Sequence, residues 1–254
     1  MKSSATRFLK DETGVKLAYH SLAGTADGAG GVVFLGGFRS DMSGTKALYL
    51  EDLCKTLGCS YVRFDYSGHG LSSGLFSDGT IGQWLSDALL VLDRLTQGPQ
   101  ILVGSSMGGW LMLLAALQRI ERIKGLIGIA AAPDFLEDFH RLTPDQAQDF
   151  QEKGVCYIPS QYGDPYPITR TLVEEGRQHH LLDKTIAINC PVRLLHGLND
   201  QDVAWQKSIK ISEKLTSTDV RITLVKDGDH RLSNDADLAL LGTTVRELLL
   251  TTIL

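Results

Sequence analysis

Six apolar runs of strand length recur along this chain with helical patterns between them, and that alternation constrains the fold more than any other feature. The runs are GVVFLGG (31–37), YVRFD (61–65), ILVGS (101–105), IKGLIGIAAA (123–132), VRLLHG (192–197) and VRITLVKDG (220–228). Unbroken Val, Ile and Leu suit strands buried on both faces, as in a parallel sheet. Helical periodicity is expected over Thr45–Leu57, Ile81–Leu95, Gly108–Ile120, Val203–Leu215 and Ala236–Ile253. Strand and helix in alternation spell the α/β class, with a mostly parallel, doubly wound sheet. TRFLKD and VKLAYH, separated by Glu12, Thr13 and Gly14, predict an antiparallel pair at one edge.

One stretch breaks the rhythm. Between Ala132 and Val192 no buried strand run occurs. The segment reads as amphipathic helices instead: DFLEDFHRL, PDQAQDFQEKG and ITRTLVEEGRQHHLL, with prolines between them. The expectation is a single domain over 1–254 with a helical cap insertion at about 134–188. Such an insertion covers the carboxyl ends of the strands, where ligands bind in parallel sheets.

Gly104-Ser105-Ser106-Met107-Gly108 fits G-x-S-x-G, where a strand hands over to an apolar helix. Glycine is poor in both elements, so its use here needs a reason. A very tight turn that lifts a serine hydroxyl clear of the sheet supplies one. The helix N-terminus then points free N–H groups at the reacting centre. The same pattern recurs at Gly70-Leu71-Ser72-Ser73-Gly74, but no buried strand runs directly into it. Context selects Ser106 as nucleophile and rejects Ser72.

A serine at neutral pH needs a base, and the base needs an orienting acid. KDGDHRLS puts His230 in a loop after the final strand. His179 and His180 fall in the cap segment and His196 lies inside a strand, which suits them less. The acid should leave the strand VRLLHG. HGLNDQDV offers Asp200, with Asp202 as an alternative that would cap the next helix, and Asp134 after the preceding strand as another. Oxyanion donors are expected at the backbone N–H groups of Met107 and Phe38. Arg39 either reaches a substrate carboxylate or pairs with Asp41, and Trp110 either lines the acyl space or packs in the core. Phe135, Leu136 and Phe139 are expected to complete an apolar pocket from the cap.

A net charge of -5 without a basic cluster argues against a nucleic-acid partner. No apolar run approaches the ~20 residues of a membrane span. The opening MKSSATRFLKDETGVKLAYH lacks the apolar core of a signal peptide, and Cys54, Cys59, Cys156 and Cys190 form no CxxC pair. These features read as a reduced, cytoplasmic setting. The histidines form no HExxH pattern, so neither a metal nor another cofactor is expected.

Together these pieces resemble the α/β-hydrolase superfamily over almost the whole chain. FDYSGHGLSSG is similar to that superfamily's D-x-x-G-H-G-x-S turn, and HGLND to its acid-bearing H-G-x-x-D. The resemblance implies Asp200 as the acid, because the acid takes the last position of that pattern. GTKALYLEDLCKTLG, RFDYSG, GPQILVGSSMGGWLML and NCPVRLLHG are similar to a mitochondrial branch of palmitoyl-protein thioesterases and acyl-glucuronide esterases. That resemblance implies a serine hydrolase of carboxylic esters or thioesters, with a small-molecule or acylated-protein substrate. A peptidase of the same fold and a catalytically silent binding homologue are the alternatives.

Overall fold

A computed structural model describes residues 5–10, 14–25, 30–137, 142–160 and 163–252. Its main sheet has eight strands in the order β1-β2-β4-β3-β5-β6-β9-β10. These are β1 (Arg7–Lys10), β2 (Lys16–Leu22), β3 (Gly31–Leu35), β4 (Ser60–Phe64), β5 (Gln100–Ser105), β6 (Ile123–Ile129), β9 (Val192–Gly197) and β10 (Val220–Val225). β1 pairs antiparallel with β2, and β2 antiparallel with β4. From β4 to β10 every pairing is parallel.

Helices α1 (Thr45–Leu57) and α7 (Asp235–Thr252) lie on one face of the sheet, and α2 (Ile81–Leu95) and α3 (Met107–Gln118) on the other. The strands' period of two divides the core accordingly. Val33, Leu35, Leu102 and Leu194 pack with α2 and α3, whereas Val32, Phe34, Ile101, Val103 and Leu195 pack with α1 and α7. Each fully buried aliphatic side chain of this kind contributes about 1.5–3 kcal/mol. α1 and α2 have the bounds expected from the sequence.

Three expectations are corrected. β10 is an edge strand, with Arg221, Thr223 and Leu224 exposed, rather than buried on both faces. α6 (Gln206–Lys214) starts after Val203 and has no side-chain cap at Trp205, so Asp202 does not cap it. The segment after β6 is not purely helical. α4 (Pro144–Lys153) is followed by the antiparallel hairpin of β7 (Val155–Ser160) and β8 (Gly163–Thr169), then by α5 (Arg170–Gly176). Pro159, Pro165 and Pro167 hid these strands in the sequence, since proline argues against a central strand. A two-stranded ribbon has only edges, so it tolerates them. The described residues of DFLEDFHRL show a 3₁₀ turn at 135–137, while residues 138–141, Phe139 among them, lie outside the described residues. No helix among the described residues is long and apolar enough to cross a membrane.

The parallel run of the sheet brings the carboxyl ends of β3, β5, β9 and β10 to one side. The loops that leave those ends carry Phe38, Ser106, Asp200 and His230.

Candidate active site

Ser106 sits between β5 and α3 with φ 54° and ψ -120°, a left-handed conformation that costs a non-glycine residue of order 1–3 kcal/mol. Neighbouring backbone holds it there. Its N–H donates to Ile129 O at 2.9 Å, and its carbonyl accepts from Ala132 N at 3.0 Å and Gly109 N at 2.8 Å. The flanking glycines are required by space. A Cβ on Gly104 would lie 2.3 Å from Gly108 O, and one on Gly108 would lie 2.1 Å from Leu35 O.

His230 Nε2 lies 3.1 Å from Ser106 Oγ, and His230 Nδ1 lies 2.8 Å from Asp200 Oδ2. An ionised carboxylate only accepts hydrogen bonds. Nδ1 therefore carries the hydrogen, and Nε2 presents its lone pair to the Ser106 hydroxyl. Burial of the Asp200 side chain alone would raise its pKa. Hydrogen bonds from His196 and His230 outweigh that and hold the carboxyl well below the usual range. Oδ1 accepts from the N–H groups of Asp202 at 2.9 Å and Val203 at 2.8 Å. Arrayed in this way, the three side chains can pass a proton from a serine to an imidazole that a buried anion orients.

The competing residues have other partners. Asp202 is exposed. Asp134 accepts from the N–H groups of Leu181 and Leu182, which docks the inserted segment onto the sheet. Ser72 Oγ donates to Asp65 O and accepts from Ala18 N, bracing a loop against β2. His179 Nε2 lies 2.6 Å from Glu175, whose carboxylate also receives Gly82 N–H. His196 is fully buried as expected of a strand residue, but it also touches Asp200 at 3.1 Å. That contact was missed in the sequence, although a histidine four residues before the acid at a strand end was its signal.

Two backbone donors flank Ser106. Met107 opens α3, and the first N–H groups of a helix have no intrahelical acceptor. No acceptor among the described residues takes the Phe38 N–H, and Gly37 passes so near that a Cβ there would lie 3.4 Å from Ser106 Cβ. Arg39, with φ 56°, holds the end of this loop. Its N–H donates to His69 Nε2 at 3.3 Å, and its Nη1 donates to Pro165 O in β8 at 2.8 Å. Arg39 thus ties the loop to the hairpin, a partner that neither expectation named. Trp110 is corrected as a cleft residue: it is fully buried, donates to His179 O at 3.0 Å and packs edge-on against Phe135.

The cleft above Ser106 has a volume of about 900 Å³. Phe38, Phe135, Leu142, Ile158, Tyr166 and Ile168 give it an apolar wall, while Lys46, Lys207 and Arg231 lend charge. Leu136 is buried in the core beside Gly176 instead. Asp200, Asp202 and His230 offer three ligand atoms within 4.8 Å of one another. Two of those residues already hydrogen-bond each other, which leaves a poor cation site.

His69 supports a stability prediction. Burial lowers its pKa from 6.5 to about 4, against a smaller opposing effect of its bond to Ser67 O. The unfolded chain therefore takes up this proton first as pH falls, so stability is lost between about 6.5 and 4. The loss amounts to at most about 3 kcal/mol. Denaturant unfolding at pH 7 and pH 4.5 should weaken the wild type more than His69→Leu. Equal losses would contradict this role.

The chain matches the family described as alpha/beta hydrolase fold over residues 34–162. It is 44% identical over 236 residues to the mitochondrial palmitoyl-protein thioesterase ABHD10 of Homo sapiens, covering 92% of this chain and 76% of that protein. The structure of alpha/beta hydrolase domain-containing protein 10 from mouse superposes with a TM-score of 0.88 at 41% identity, over 96% of this chain and 98% of the other. A putative hydrolase from Agrobacterium vitis S4 gives a TM-score of 0.92 at 39% identity, covering 98% and 100%. The ABHD10 relatives are named as mitochondrial, which overturns the cytoplasmic expectation. That expectation rested on the first residues and the cysteine pattern, and neither fixes a compartment. Identity at this level over nearly the whole chain, together with the shared sheet, leads to one conclusion: the chain belongs to the α/β hydrolase fold family.

Proposed function

We propose that this protein hydrolyses carboxylic esters and thioesters of acyl chains through an acyl-enzyme on Ser106. The observation that carries the reading is the hydrogen-bonded series Ser106–His230–Asp200 at the base of an apolar-walled cleft. His230 Nε2 removes the hydroxyl proton as Ser106 Oγ attacks the acyl carbon, and it returns that proton to the departing oxygen or sulfur. Asp200 holds the productive tautomer and stabilises the transient imidazolium. The N–H groups of Met107 and Phe38 receive the oxyanion. Water then enters with His230 as base and releases the acid and free Ser106. No cofactor takes part in any of these steps.

The inserted segment acts as a cap that gives the acyl chain its pocket, with Leu142, Ile158, Tyr166 and Ile168 as its lining. Thioesterase names among the relatives support an acylated substrate, and palmitoyl-protein thioesters and acyl glucuronides are the first to test. Each methylene buried adds about 0.8 kcal/mol, or roughly fourfold in kcat/KM. A series of thioesters and esters from acetyl to palmitoyl should show kcat/KM rising with length until the pocket is full, with no turnover by Ser106→Ala. A flat response would count against an enclosed acyl site.

A further inference from the structure

Asp200 is held by more than His230. His196, at the end of β9 and fully buried, places Nε2 3.1 Å from Asp200 Oδ2 and 3.0 Å from Val203 O. Both partners are pure acceptors, so Nε2 carries a hydrogen. Its Nδ1 lies 2.7 Å from Ser208 Oγ on α6. In the neutral ring that nitrogen is an acceptor, and Ser208 O–H donates to it. Ser208 thereby selects the tautomer that offers N–H to Asp200.

We infer that His196, held by Ser208, is a positioning residue that fixes the Asp200 carboxylate on the line to His230. The inference rests on Asp200 being the orienting acid of the proposed hydrolysis. Two backbone N–H groups grip Oδ1 and two imidazoles grip Oδ2, which fills the four acceptor sites of a carboxylate. A carboxylate so held cannot turn without leaving a buried charge unpaired. The backbone pair comes from the loop that Asp200 itself occupies. His196 and Ser208 instead come from a central strand and a helix, which give firmer support. Without them Oδ2 keeps one donor, and the side chain tilts away from His230. Small misplacements of this kind cost up to about 10²-fold in rate. His196 does not touch the cleft, so KM should not change.

The test compares kcat, KM and melting temperature for the wild type, His196→Leu, His196→Gln, Ser208→Ala and Asp200→Asn on one aryl ester. His196→Leu should lower kcat by roughly 10- to 100-fold at unchanged KM. His196→Gln keeps an N–H donor near the position of Nε2 and should recover most of that kcat. Ser208→Ala should give a smaller fall in kcat, again at unchanged KM, and decides the matter if His196→Leu does not fold. Wild-type kcat in Ser208→Ala and in folded His196→Leu, alongside collapse of Asp200→Asn, would overturn the positioning role and leave the hydrolysis intact. A fall in His196→Leu that glutamine fails to rescue would also overturn it. Wild-type activity in Asp200→Asn would instead remove the acid assignment and this inference with it.

Discussion

Ser106→Ala is expected to lower kcat by on the order of 10⁶-fold where chemistry limits turnover. The hydroxyl is the only group lost. Alanine strains the turn at φ 54° about as much as serine does, and the backbone bonds to Ile129 and Ala132 survive. The melting temperature should therefore hardly move. Binding should persist as well, because the cleft walls and the N–H groups of Met107 and Phe38 remain. Ser72→Ala is the control, since it matches the same short pattern. Its hydroxyl braces Asp65 and Ala18 instead, so its loss should reduce stability and spare kcat. Stopped assays on both variants with one substrate check this. The reverse pattern would relocate the nucleophile.

Asp200→Asn should cost roughly 10⁴-fold in kcat, by the tautomer argument. Every group facing this carboxylate is a donor: Asp202 and Val203 N–H on Oδ1, and His230 and His196 on Oδ2. An asparagine amide must turn its NH₂ toward one of these sets. With NH₂ toward His230, Nδ1 becomes an acceptor, the hydrogen moves to Nε2, and the ring can no longer take the Ser106 proton. With NH₂ toward the loop, two N–H groups clash with it and the loop shifts. Either arrangement disables the base while leaving the cleft in place. Asp202→Asn should change little, because the bond it gives Asp200 comes from its backbone N–H, which the substitution keeps, and its side chain is exposed. Paired kinetics and melting curves for the two variants check the assignment, and a collapse confined to Asp202→Asn would reverse it.

What the sequence revealed follows from what is local. The buried strands β3, β5, β6 and β9 announce themselves as unbroken apolar runs, and the elbow glycines reflect clashes between residues close in the chain. Ser106 and His230 meet across 124 residues, so their distance could not be read from spacing. Chain order and strand ends were enough to nominate them. β10 was legible as a strand but not as an edge, because its run VRITLV reads like a buried one, while β7 and β8 escaped because prolines mask a ribbon with two open edges. Trp110 was ambiguous for a different reason. A helix hydrophobic on every side gives no hint of which face meets a cleft, and α3 is such a helix, buried from Met107 to Ala116. Arg39 reaches Pro165, a partner 126 residues away on a hairpin the sequence did not reveal.

The central claim is that an acyl group passes through Ser106, and mapping that group tests it most directly. The wild type would be mixed with a palmitoyl thioester, quenched in acid during turnover, digested and examined by mass spectrometry. The account predicts a palmitoyl adduct on Ser106 within the peptide that spans the β5–α3 turn, and no adduct or turnover with Ser106→Ala. An adduct on another residue, or hydrolysis that continues in Ser106→Ala, would contradict it.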